Sequence, residues 1–409
     1  MTSVRSIMGA AVFALAAATA GPQARAADTI KILNLDVTSG PFKDEGAQYM
    51  RGVKYAVDQI NKEGGINGQQ IELITDDTQL KPDVAQRKAT RYILDEDIKI
   101  IIGAVGTAVV KALAQVAAKH HVILAAYSGE HDSITGADFA PEVFRLILSA
   151  SMHASATVAA FPDQKFDKVY LLNQDNAYGY AAAQAYKNAL DAYHPGWKLA
   201  GEDYHPIATR DFAPYLQKIV GSGADVILTG DYGSDMTILH KQAANFGIKQ
   251  PFGNLFLSNP VAMREIGDAG IGSFTSDIYM IGVDTPANKK FIEEWHAQYK
   301  DSSEPWPEFG IGKAYNAMMF LAEALRQAGS TDSKKVIQAF EGLEYTGVMG
   351  RQVMRACDHQ VQSDVAAARI VKGPGKYYPF AFTGDVTLVP MDKISVPPEK
   401  TGNKRCMKQ

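Results

Sequence analysis

Cysteine is almost missing from this chain: its 409 residues include two, Cys357 and Cys406, both near the end. No Cys-x-x-Cys pair exists, which argues against thiol redox chemistry. Long apolar runs are missing too, and Met8–Ala20 is too short and too rich in alanine to span a bilayer. Positive charge is not in excess. Lys and Arg number 41 against 45 Asp and Glu, a net charge of −4, so neither nucleic acid nor an anionic membrane is expected as a partner.

Catalytic signatures are absent as well. The chain has no Gly-x-Ser-x-Gly elbow, no Gly-x-Gly-x-x-Gly and no His-Glu-x-x-His, and Gly373-Pro374-Gly375-Lys376 lacks the spacing and the following Ser or Thr of a phosphate loop. The 9 histidines are scattered. Only His120 and His121 are close, and adjacent side chains on a strand point apart rather than chelating a metal. Asp76-Asp77 sits at a strand end, where turn and cap roles account for it. No catalytic residue, metal or cofactor is expected; the chain reads as a binding protein, not an enzyme.

What is present is ample core material, 46% hydrophobic residues, in a length suited to two domains. Arg5, the apolar run and Ala24-Arg25-Ala26 together read as a secretory signal peptide, residues 1–26, cut after Ala26. Its loss removes two arginines and moves the charge from −4 to −6. No cysteine lies near the cut, so no lipid anchor is expected. In an exported protein the pair Cys357 and Cys406 reads as one disulfide. Closing a loop of roughly 50 residues stabilises by about 4 kcal/mol in the chain-entropy model.

Apolar runs and amphipathic segments alternate throughout. Ile98–Ile102 ends in Gly103, a segment with Val109, Ala112, Leu113 and Val116 at helical spacing follows, and a second apolar run reaches Ala126 before Ser128-Gly129. Apolar strands joined by a helix belong to a parallel sheet covered on both faces, and such sheets bind ligands at the carboxyl ends of their strands. The turns at Thr107 and Ser128-Gly129 are therefore the first candidates for a site. The pattern restarts after a crossing at Phe144–Ser149, returns through an expected strand Ile278–Val283, and crosses a third time near Gly347–Arg355. The expected fold is α/β: a first lobe of residues 27–148 and 277–350, and a second of 149–276 and 351–409. Each lobe is a mostly parallel sheet flanked by helices, and the three crossings form a hinge.

Several segments carry a resemblance in order: Ser39-Gly40-Pro41, the stretch Ala56 to Gly68 (AVDQINKEGGING), Asp76-Asp77, Asn176-Ala177-Tyr178-Gly179, Asp211-Phe212 with Ala224 to Ile227, and Ala314-Tyr315 to Gly329. Together they resemble periplasmic solute-binding proteins of the leucine/isoleucine/valine type, partners of ABC importers, over essentially the whole mature chain. The resemblance implies a type I two-lobed periplasmic-binding fold, no catalysis, a periplasmic location, a monomer, and delivery of a small carboxylate or amino-acid ligand to a membrane permease. Matching positions place the ligand carboxylate on Thr107 and on Ser128 and Gly129, with Glu130 beside them, and a cleft tyrosine at Tyr178. Two positions depart: Asp231 followed by Tyr232 replaces a tyrosine, and the acidic residue that pairs the ligand ammonium falls on Leu255. A buried ammonium needs a counter-charge. Asp231 and Glu45 are the candidates to supply it, while Phe42, Tyr127 and Phe256 are candidate pocket walls. If neither carboxylate points inward, the ligand is an amine-free aromatic or aliphatic acid. A ligand sensor for a signalling partner is the other reading of the same fold.

Overall fold

The apolar strand runs and the helical periodicity build the sheets they predict. The computed structural model describes Met1, Thr2 and residues 29–408, so the expected signal peptide lies, those two residues aside, outside the described residues. Strands and helices alternate as β1 (Ile30–Asp36), α1 (Lys43–Lys62), β2 (Ile71–Asp77), α2 (Pro82–Glu96), β3 (Ile100–Gly103), α3 (Thr107–His120), β4 (Ile123–Ala126) and β5 (Val143–Arg145). These strands pair in parallel in the order β2-β1-β3-β4-β5. Every residue of β3 and β4 is buried, as their unbroken apolar sequence requires.

The chain then passes through Leu146–Ser149 into α4 (Ala150–Ala159), β6 (Lys168–Gln174), α5 (Ala177–Tyr193), β7 (Lys198–His205), α6 (Ala213–Ser222), β8 (Val226–Thr229), α7 (Gly233–Phe246), β9 (Phe252–Asn254), α8 (Pro260–Ile266) and β10 (Phe274–Asp277). Two long helices return to the first lobe, α9 (Pro286–Tyr299) and α10 (Gly310–Ala328). Gly52 lets α1 and α10 approach, since a Cβ there would lie 2.2 Å from the Ile311 carbonyl oxygen. After them come α11 (Ser333–Phe340), β11 (Glu344–Gly347), β12 (Gly350–Met354), β13 (Val361–Ser363), β14 (Val365–Val371), β15 (Phe382–Thr383), β16 (Thr387–Val389) and α12 (Met391–Ile394). The second sheet runs β15-β14-β10-β9-β8-β6-β7, with β16 on β14, and β11, β12 and β13 form a small antiparallel sheet.

Two expectations about the crossings are corrected. Ile278–Val283 is not a strand; the strand precedes it as β10, and the apolar run is the crossing itself. It is apolar because the hinge buries it, and side chains replace the missing ladder. Glu308 accepts the Ile281 N–H at 3.0 Å, Asn288 donates to the Ile281 and Val283 carbonyls at 3.1 and 2.8 Å, and Asp277 accepts the Ile278 N–H at 2.8 Å. Gly347–Arg355 is not the third crossing either. It forms the β11–β12 hairpin, and the chain reaches the second sheet only at Asp364, between β13 and β14. Glycines 347 and 350 mark a tight turn there, a local cause that the sequence does not separate from a hinge. Cys357 and Cys406 form a disulfide with their Cα atoms 4.9 Å apart, tying the tail to the turn before β13.

Candidate functional site

The carboxyl ends of β1, β3 and β4 carry one wall of a buried cavity. Asp36, the last residue of β1, accepts the Val37 and Val105 amides at 2.7 and 2.9 Å and the Tyr127 hydroxyl at 2.7 Å. Burial pushes its carboxyl up to about 6 against those bonds. These contacts fix the β3–α3 turn. Gly106 and Gly129 both have positive φ, +93° and +85°, and a Cβ would collide with Leu80 at the first and Val110 at the second. The turns therefore bring their backbone against the cavity as only glycine permits. Thr107 opens α3 nearly buried, and its hydroxyl has no partner. A helix N-terminus with a free hydroxyl presents donors to an anion.

Ser128, Gly129 and Glu130 continue that wall. Arg145, buried on β5, donates to the His131 carbonyl at 2.7 Å and braces this loop from behind. Glu130 Oε2 lies 2.9 Å from His153 Nδ1, and His153 Nε2 lies 2.7 Å from the Ser276 carbonyl. Burial pushes the Glu130 carboxyl up, but the His153 charge and bond, with Lys313 and Tyr178, hold it below the usual range. Burial likewise pushes the His153 imidazole down, and Glu130 more than reverses it. The two form a buried ion pair.

The second lobe supplies aromatic rings. Asn176 caps α5 by accepting the Gly179 N–H at 2.8 Å, which sets Tyr178 in the first turn, and the Tyr178 hydroxyl donates to Glu130 at 3.3 Å. Tyr232 precedes α7, and Phe256 follows β9, its amide donating to Asn254 at 2.8 Å. Phe309, ahead of α10, lies over Lys313 with the ammonium 3.9 Å from the ring centre. Lys313 Nζ is also 2.6 Å from Asp277 Oδ2, an ion-pair contact whose angle is not that of a hydrogen bond.

Glu45 completes the cavity from α1. Its Oε1 accepts the Gly233 amide N–H at 2.9 Å, and its Oε2 is buried with no partner. Burial raises its carboxyl to about 8; the Gly233 bond and the Lys313 charge only partly oppose that. The free space left between the lining residues is about 40 Å³. Five aromatic rings and two carboxyl groups line it, with no Lys or Arg among the lining residues.

Of the residues singled out in the sequence, Thr107, Ser128, Gly129, Tyr178, Tyr232, Glu45 and Phe256 meet at this cavity. Three do not. Asp231, two residues past β8, turns one oxygen to His205, whose Nε2 lies 2.8 Å away on β7; its other oxygen is buried without a partner, and the residue does not line the cavity. Tyr127 is fully buried behind Tyr49, ring centres 4.9 Å apart, with its hydroxyl donating to Asp36 and accepting from Asn34. Phe42 packs on Tyr232 at 5.2 Å and lines a separate groove that shares Glu45 with the cavity. Tyr49, Val105, Gly106 and Phe309 line the cavity without having been singled out. Tyr49 stands four residues after Glu45 on α1, a spacing that puts both on one helix face. Phe309 offers no such signal.

Among the described residues, the one His, Cys, Asp and Glu cluster close enough to share a metal is Cys357, Asp358 and Cys406. Its sulfurs are joined in the disulfide, so no thiolate is available. No helix among the described residues is long and apolar enough to cross a membrane.

Two α/β lobes that each give walls to one buried, apolar cavity with a few convergent polar groups make a two-lobed receptor for a small solute. A model of the periplasmic binding protein family matches residues 29–374, and the chain belongs to that family. The Leu/Ile/Val-binding protein homolog 4 of Brucella melitensis biotype 1 is 25% identical over 414 residues, covering 96% of this chain and 98% of its own. The structure of a leucine-, isoleucine-, valine-, threonine- and alanine-binding protein from Brucella ovis, in its closed conformation, superposes with a TM-score of 0.80 at 24% identity, covering 91% of this chain and 97% of that one. A solute-binding protein of an ABC transporter from R. palustris, in complex with benzoate, superposes at 0.79 with 20% identity, covering 90% and 99%. These relatives are solute-binding receptors rather than enzymes.

Proposed function

We propose that this protein is an exported receptor that captures a hydrophobic or branched-chain amino acid between its lobes and delivers it to an ABC permease. Glu45 carries the reading: a buried carboxyl on the cavity wall with one oxygen unpartnered. An ammonium is costly to bury without a counter-charge, and Glu45 supplies one where Asp231 does not. The Thr107 hydroxyl and the amides at the α3 N-terminus and the Ser128-Gly129 turn take the ligand carboxylate. Tyr49, Tyr178, Tyr232, Phe256 and Phe309 surround the side chain. The names of the Brucella relatives agree with this ligand class.

A second reading, an amine-free aromatic acid, is favoured by the same five rings and by the R. palustris protein that holds benzoate. Two carboxyl groups and no lining Lys or Arg weigh against a ligand whose only charge is negative. Isothermal titration of the wild type and Glu45→Gln with amino acids, their deaminated counterparts and benzoate separates the readings. Binding of amino acids that is lost in Glu45→Gln supports the first. Preference for benzoate, unchanged in the variant, refutes it.

A further inference from the structure

Glu45 touches both lobes. It stands on α1 in the first lobe, and its Oε1 accepts the N–H of Gly233, the first residue of α7 in the second, at 2.9 Å. The approach requires that residue 233 carry no side chain. Its φ is +63°, and a Cβ there would lie 2.6 Å from two Phe42 ring atoms and 3.5 Å from Glu45 Oε2. Other hydrogen bonds also join the lobes around this cavity: His153 to Glu130 at 2.9 Å, Tyr178 hydroxyl to Glu130 at 3.3 Å and Gln48 amide to Asn259 at 3.3 Å. A bond from an amide at a helix N-terminus is about twice as strong to an ionised carboxylate as to a neutral carboxyl. The strength of the Glu45–Gly233 bond therefore depends on what sits at the other oxygen, which is buried, unpartnered and on the cavity wall.

We propose that Glu45 sets specificity at closure: a ligand ammonium held at Oε2 fixes the negative charge on the carboxylate, and the charged carboxylate grips the α7 amide and shuts the cleft. The inference rests on the reading that the ligand carries an amine, and goes further. An acid of the same skeleton without the amine settles on Thr107 and the Ser128-Gly129 turn but leaves the lobes apart, so it occupies the receptor without producing the closed form.

The test compares L-leucine with 4-methylpentanoate on the full exported chain, with affinity from isothermal titration and lobe closure from the radius of gyration in small-angle X-ray scattering. Saturating leucine is expected to compact the wild type, and saturating 4-methylpentanoate to leave it open. Glu45→Gln is expected to lower leucine affinity on the order of 100-fold and to stay open at saturating leucine. Should both ligands compact the wild type equally, or Glu45→Gln close fully with leucine bound, the latch is wrong while amine recognition stands. If 4-methylpentanoate does not bind, the Glu45→Gln arm decides alone. Failure of leucine and the other amino acids to bind the wild type overturns both the latch and the reading beneath it.

Discussion

Proton release on ligand binding follows from the state of Glu45. Burial raises its carboxyl to about 8, so at pH 7 about nine in ten molecules hold the proton. The charged groups that act on it are Lys313, which favours ionisation, and Asp36 and Asp235, which oppose it. An ammonium about 3 Å from Oε2 contributes roughly 5 kcal/mol at an effective dielectric of about 20, equivalent to about four pKa units. That is enough to ionise Glu45 fully at neutral pH. Binding of an amino acid should therefore release about 0.9 proton at pH 7 and about 0.5 at pH 8, and the affinity should rise with pH until it flattens near 8. Isothermal titration in buffers of different ionisation enthalpy counts the protons directly. Glu45→Gln should remove the release, and an amine-free acid should not cause it. A count near zero at pH 7 for a tightly bound amino acid would refute the reasoning, because it would mean that the amine is paired elsewhere.

The same group shapes stability. Glu45 and Glu308 are both raised by burial to about 8, so their contribution is fully present below the unfolded pKa near 4.5 and is lost as pH rises through about 8. Urea unfolding should show stability falling across that window, with Glu308→Gln removing up to about 5 kcal/mol of the fall. Replacing His153 with Leu strands the Glu130 charge in the core and should cost about 3–5 kcal/mol, read as a lower urea midpoint. Asp231→Asn should weaken the second lobe through His205 and leave ligand affinity unchanged within about twofold. Reduction of the Cys357–Cys406 bond should cost about 2–4 kcal/mol without altering the ligand panel.

The sheets were legible because their strands announce themselves: Ile100–Gly103 and Ile123–Ala126 are apolar on both faces and can only be interior strands. The crossings were harder. Ile278–Val283 has a strand's composition, but Asn288 and Glu308, side chains distant in sequence, satisfy its backbone instead of a neighbouring strand. On the site, turn residues such as Thr107 and Ser128-Gly129 could be placed because they stand at the ends of recognisable strands. The direction of a side chain beyond a strand end could not. Asp231 and Glu45 were both candidates in sequence, and what separates them is place: Glu45 lines the cavity, while Asp231 lies outside it against His205 of β7. Phe309 reaches the cavity through a backbone turn at positive φ that its sequence does not mark.

The most direct measurement is the identity of the molecule carried by the protein when it is purified from cells and released by denaturation, read by mass spectrometry. The account predicts a small hydrophobic acid that carries a primary amine, in stoichiometric amount. Recovery of an amine-free acid such as benzoate in that amount would contradict the role given to Glu45.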